Sequence, residues 1–206
     1  MSRIIDPISI KELAATAPVS YEIDTSHSKA NFVVRHLMVS NVTGKLGAVT
    51  GRVTFDKADP SRSTIEAEID VTAINTSDEK RDDHLRSVDF LDVAAFPKLT
   101  FKSTKVEAAD DGYSVTGDLT LRGITRPVTL DVEGLTPEVE MKAWGVVKAG
   151  TSATIKLNRK EFGVSWSQLL DNGGAVVGDE VKVTLDIELN RPAPQAASAT
   201  PAEEQQ

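Results

Sequence analysis

The sequence predicts an all-β domain, an antiparallel sheet over residues from about 20 to 191, whose period-two pattern suits a sandwich as well as a closed barrel. Two observations carry this: hydrophobic alternation of period two over most of the chain, and turn residues placed between the alternating runs. A third completes the picture, since only one segment departs from the pattern with a helical character of its own.

Alternation is clearest in four places. Ile65, Ala67, Ile69 and Val71 alternate with Glu66, Glu68, Asp70 and Thr72. Val181, Val183, Leu185, Ile187 and Leu189 alternate with Lys182, Thr184, Asp186, Glu188 and Asn190. The runs from Val115 to Leu121 and from Val128 to Val132 do the same. One face of each run is apolar and the other is wet. A half-solvated sheet is normally antiparallel. Turns at Asp110-Asp111-Gly112, Gly123, Asn172-Gly173-Gly174 and Gly178-Asp179 agree. Eight main strands are expected at about 21–24, 29–38, 45–56, 63–74, 98–108, 112–122, 125–135 and 139–149. Two more are expected near 151–160 and 179–190.

Ser77 to Ser87 is rich in charge, with acids early, as a helix dipole favours. A short helix is predicted over about 78–87, with Ser77 as its cap. Residues 1–19 read as an N-terminal arm, in which Ile8 to Ala15 have the makings of one or two helical turns. Residues 192–206 form a Pro/Ala/Ser/Glu/Gln-rich tail without large apolar residues, the composition of a disordered segment.

Composition narrows the function. A net charge of -8 repels phosphate backbones and anionic membranes, so no nucleic-acid partner is expected. No stretch has the length and apolarity of a membrane span, so no stable membrane anchor is expected. With no cysteine there are no disulfides, thiolate metal sites or cysteine nucleophiles. Asp6, Pro7, Lys11 and Glu12 interrupt any secretory apolar core, which points to a cytoplasmic protein. Gly-x-Ser-x-Gly, Gly-x-Gly-x-x-Gly and the phosphate loop are all missing, so no enzyme chemistry and no cofactor is indicated. His27, His36 and His84 lack the close pairing typical of zinc ligands, so no metal is expected.

The expected inner face carries many small residues: Gly51, Ala67, Gly117, Ala143, Gly145, Ala149 and Ala153. Only 5% of the chain is aromatic. Such residues fill a wide barrel poorly against a native density of about 0.74. Two readings stay open: a hollow that holds an apolar ligand, or two sheets drawn close together.

An ordered series of motifs bears on the choice. It includes Asn31-Phe32-Val33-Val34-Arg35-His36, Gly51-Arg52-Val53-Thr54-Phe55-Asp56 and Arg81-Asp82-Asp83-His84-Leu85-Arg86. Phe96-Pro97-Lys98-Leu99-Thr100-Phe101, Gly117-Asp118-Leu119-Thr120-Leu121-Arg122-Gly123 and Arg159-Lys160-Glu161-Phe162-Gly163 follow. Together they resemble the YceI-like family of lipid-binding proteins over about residues 20–191. The resemblance implies a lipocalin-like antiparallel β-barrel around an elongated apolar tunnel. It implies non-catalytic binding, transport or storage of a long-chain isoprenoid lipid: a polyprenol, polyprenyl phosphate or isoprenoid quinone. Another amphiphile, such as a fatty acid or fatty amide, is the alternative, and catalysis on a bound lipid a lesser one. A homodimer is implied by the resemblance alone. Many relatives look periplasmic or secreted.

The expected tunnel wall includes Ala67, Ile69, Leu119, Ala143, Ala153 and Ile155. Phe32, Val34 and His36 share one strand face, so His36 faces the tunnel if Phe32 does. There it either meets a headgroup or is satisfied by a backbone carbonyl. Asp83 and His84 either bind a headgroup at the barrel mouth or fasten the helix over the barrel end. Arg81 and Arg86 read as surface charges. Trp144 is expected on the outer face or at a contact. The link 163–178, with Trp166, reads as a structural loop, a lid or a dimer contact.

Overall fold

The computed structural model describes residues 17–168 and 176–194. The expectations for Ile8–Ala15, most of the C-terminal tail, and Leu169 and Leu170 lie outside the described residues.

Among the described residues, eleven strands form one antiparallel sheet: β1 (Val19–Ile23), β2 (Lys29–His36), β3 (Ser40–Gly47), β4 (Val49–Phe55), β5 (Thr64–Asp70), β6 (Lys98–Ala109), β7 (Gly112–Leu121), β8 (Ile124–Glu133), β9 (Val139–Met141), β10 (Val146–Asn158) and β11 (Val177–Pro192). Eight close a ring in the order β11-β1-β4-β5-β6-β7-β8-β10, and β10 returns to β11 along its whole length. The ring is the closed barrel that the family resemblance implies, a closure that alternation alone leaves open between barrel and sandwich. The long β11 takes two partners on one edge. It pairs with β1 at Leu189–Asn190 and with β2 from Val177 to Asp186. β2 and β3 thereby extend one end of the barrel as a hairpin.

Three expected strands are subdivided. The 139–149 run is a hairpin: Val139–Met141 pairs back on Val146–Lys148. Gly145 takes φ 62, a left-handed conformation open to glycine, and closes the Lys142–Trp144 turn. That turn removes Ala143 and Gly145 from the inner face. The 45–56 run bends at Ala48, and its first part begins at Ser40 as β3. The 63–74 run stops at Asp70, where the carboxylate accepts from Thr72 N and a 3-10 turn follows. The stretch expected at 151–160 is the later part of β10.

The helix α1 spans Glu79–Arg86, close to its expected limits. Asp78, not Ser77, is its cap, accepting from Arg81 N at 3.1 Å. Ser77 stands at φ 64 and gives its N–H to Asn75 Oδ1, so the capping position falls one residue later. Arg81 and Arg86 are not loose surface charges. Arg81 donates to the Thr76 side chain and carbonyl, and Arg86 to the carbonyls of Thr72 and Ile74. Buried Asp82 accepts from Thr76 N at 2.8 Å and Thr76 Oγ1 at 2.5 Å. The helix is thus latched to the segment leaving β5, over the β2–β3 end of the barrel.

Candidate functional site: an apolar lumen with a chamber at one end

Inside the ring lies a cavity of about 150 Å³. Every atom that faces it is apolar. Ile65, Ala67 and Ile69 reach it from β5, Leu99, Phe101 and Val106 from β6, and Val183, Leu185, Ile187 and Leu189 from β11. On β6 the lining runs from Leu99 to Val106, about 20 Å at roughly 3.3 Å per residue. So small a volume along such a length is a narrow apolar space.

Five of the expected wall residues line this lumen: Ala67, Ile69, Leu119, Ala153 and Ile155. Ala143 does not, because it sits exposed in the turn between β9 and β10. The small residues also owe their size to different causes. A Cβ on Gly51 would stand 2.2 Å from Glu66 O, and one on Gly117 would stand 2.5 Å from the Phe101 ring. These glycines admit a neighbouring strand and a ring; they leave no void. The lumen is walled chiefly by Val, Leu and Ile, with Ala67 and Ala153 widening it locally.

Phe32, Val34 and His36 line a second chamber of about 180 Å³, at the end capped by α1. Phe32 is opposite Val183, a lumen residue, so the two spaces abut across that pair. The chamber is mainly apolar, with Arg35, His36, Arg81 and His84 as its polar members. The ring of His84 packs edge-on to Phe90 and Trp166, with centroids 5.0 and 4.8 Å away. Its Nε2 lies 3.0 Å from Asp89 Oδ2. Asp83 is turned to solvent, where it accepts from Arg86 Nη1 at 2.9 Å. It belongs to the helix latch, whereas His84 faces the chamber. Trp166 is a chamber residue in the link that the sequence reads as a structural loop, a lid or a dimer contact. Its sole signal was an aromatic residue in a long link. Trp144, by contrast, is 68% exposed outside the barrel.

A polar cluster clasps the start of β2 to β10 and β11. Asp24 Oδ2 accepts from Asn190 Nδ2 at 2.9 Å and from Lys148 Nζ at 3.1 Å, and lies 3.0 Å from His27 Nδ1. Glu188 also pairs with Lys148. The Asn190 amide first, then His27, Lys148 and Ser26 N–H, hold the Asp24 carboxyl well below the usual carboxylate range, against the opposing effect of burial. Asp24, His27 and Glu188 converge as metal ligands do, a meeting that chain spacing did not reveal. The Lys148 ammonium already supplies positive charge there. Nearby, burial and the Glu138 carboxylate push the Tyr21 hydroxyl up to about 12.

The model of the YceI-like domain matches residues 21–189. The chain belongs to the YceI-like family. Protein YceI of Salmonella newport (strain SL254) is 36% identical over 170 residues, covering 82% of this chain and 85% of that protein. Protein YceI of an Escherichia coli strain is 38% identical over 146 residues, covering 70% and 75%. Among solved structures, BcnA of Burkholderia cenocepacia superposes with a TM-score of 0.68 at 24% identity, over 81% of this chain and 98% of that one. A polyisoprenoid binding domain from Saccharophagus degradans shares the fold at a TM-score of 0.58 and 16% identity, over 84% and 98%.

Proposed function

We propose that this YceI-like barrel binds and carries a long isoprenoid lipid, with its tail in the lumen and without catalysis. The observation that carries this reading is the lumen itself, narrow and apolar at every facing atom. A void of this kind does not hold water, because water needs two to four polar partners. Its lining also lacks contacts that a hydrocarbon would restore at about 0.1–0.2 kcal/mol per atom pair. Removing a chain from water contributes about 0.8 kcal/mol per buried methylene. The Saccharophagus domain, described as polyisoprenoid-binding, uses the same fold.

The α1 chamber fits the polar end. At about 180 Å³ it exceeds the roughly 150 Å³ known to hold a benzene ring, and it joins aromatic walls to the His36 and His84 imidazoles. A quinone ring finds there both stacking surfaces and hydrogen-bond donors. Mass spectrometry of an organic extract of the purified protein tests the proposal. A polyprenol, polyprenyl phosphate or isoprenoid quinone at stoichiometric level is expected. A fatty acid or amide would replace the isoprenoid by another amphiphile. An empty protein that takes up neither a quinone nor a polyprenol on incubation would overturn the reading.

A further inference from the structure

The barrel wall is not closed evenly, and its weakest seam lies beside the lumen. β10 pairs with β11 from Val146 to Asn158, but with β8 only at Ala153↔Val132 and Thr154↔Asp131. Continuing that register would set Ile155 opposite Leu130, Lys156 opposite Thr129, Leu157 opposite Val128 and Asn158 opposite Pro127. None of these pairs forms.

Four further observations make this stretch a window and not a frayed edge. Both sides are lined from within: Val128, Leu130, Ile155 and Leu157 all border the lumen, and all but Leu130 are only half-buried. Both ends are closed. Above, Thr151 Oγ1 donates to Glu133 O and Gly150 N to Thr136 Oγ1. Below, Arg122 donates to Gly163 O, next to the fully buried Phe162. The opening is also written into the sequence. Pro127 has no N–H to give, and proline in a sheet is confined to edges and bulges. At its closed upper end the seam carries a surface cleft whose lining shares Tyr113, Val132, Glu133 and Ala153 with the lumen.

We propose that this window between β8 and β10 is the lateral route by which an isoprenoid chain passes into and out of the lumen. The inference rests on the lumen being the lipid site. Its chemistry suits a branched hydrocarbon. The unpaired stretch on β10 is about 13 Å long at roughly 3.3 Å per residue, and its inner edges are aliphatic. A long tail that slips in sideways need not thread the bore from one end, and its polar head stays in water during passage.

The absence of native cysteine allows a clean test. Thr129→Cys with Lys156→Cys places two exposed thiols on opposite sides of the window, for bridging by a short bis-maleimide. Ser152→Cys with Asp186→Cys bridges the fully paired β10–β11 seam as a control. Uptake of an isoprenoid quinone from neutral phosphatidylcholine vesicles is then timed for each protein, bridged and unbridged. Bridging the window is expected to slow uptake about tenfold or more, as closing a gate does, while the control bridge leaves it unchanged. A window-bridged protein that loads at the unbridged rate overturns the route, and so does a control bridge that slows loading equally. Failure of the unbridged proteins to load at all instead removes the lumen as a lipid site, and the route with it.

Discussion

Arg159 is 5% exposed, and its guanidinium lies 3.5 Å from the carboxylate of the more exposed Asp179. Its guanidinium donates to four carbonyls: Gly178 and Val177 at the start of β11, and Val164 and Trp166 in the link that follows the 3-10 turn. One side chain therefore ties the chamber's Trp166 to the barrel. Arg159→Ala leaves these carbonyls without their donors, and desolvated acceptors cost about 1–3 kcal/mol each when unsatisfied. A loss of about 3 kcal/mol in urea unfolding is expected, with weaker retention of any chamber-bound headgroup. A variant as stable as the parent would show that water replaces the guanidinium fully. Ala153 tests the lumen in the opposite sense. Ala153→Phe inserts a ring into the bore. In a filled core, overpacking costs about 1–3 kcal/mol. Here the expected result is loss of quinone uptake with little change in unfolding midpoint. Retained uptake with a large loss of stability would indicate a packed interior.

At the scale of elements, the barrel depends on clasps where strands are split. β1 and β2 share one edge of β11, and the turn between them is held by Asp24 against Asn190 and Lys148. The folded state holds the Asp24 carboxyl below its unfolded value of about 3.9, so the ionised form favours folding. That contribution is present above about pH 4 and is lost as pH falls through the depressed folded value. Asp24→Asn is therefore expected to lower the melting temperature at pH 7. The gap to the parent should narrow progressively below pH 4. A gap that is constant across this range would assign the effect to shape, not charge. The helix α1 is a second clasp. Its legibility is partial: charge placement locates it, and Ser77, a favoured capping residue, is the cap the sequence points to. The backbone decided otherwise, since φ 64 at Ser77 moves the cap to Asp78.

For the whole molecule, the division of labour is between a continuous apolar bore and a more polar chamber across Phe32. The two spaces share no lining residue and meet only where Phe32 of β2 pairs with Val183 of β11. The window between β8 and β10 then separates how the ligand is held from how it is exchanged. The tests are independent for that reason. Ala153→Phe and the extract probe the holding site, while the β8–β10 bridge probes the passage.

Much of this was legible in the sequence. Period-two runs placed Ile65, Ala67, Ile69, Leu119, Leu130, Val183, Leu185, Ile187 and Leu189 on an inner face, and all of them line the lumen. Alternation is local, so it survives without knowledge of partners. Ala143 shows where it fails: the pattern runs through Gly145 unbroken, but a hairpin turn there removes the strand. Glycines at 51 and 117 looked like space and proved to be close approaches, because what a missing Cβ leaves room for depends on which strand lies opposite. The sequence by itself determined the strand faces, the place of the short charged helix and the apolar character of the interior. Only the tertiary structure decided that the ring closes, that Trp166 meets His84, that Asp24 meets Asn190, and that β8 and β10 part below Thr154. Those facts depend on contacts between residues far apart in the chain, and register between distant strands is set by packing, not by any local pattern.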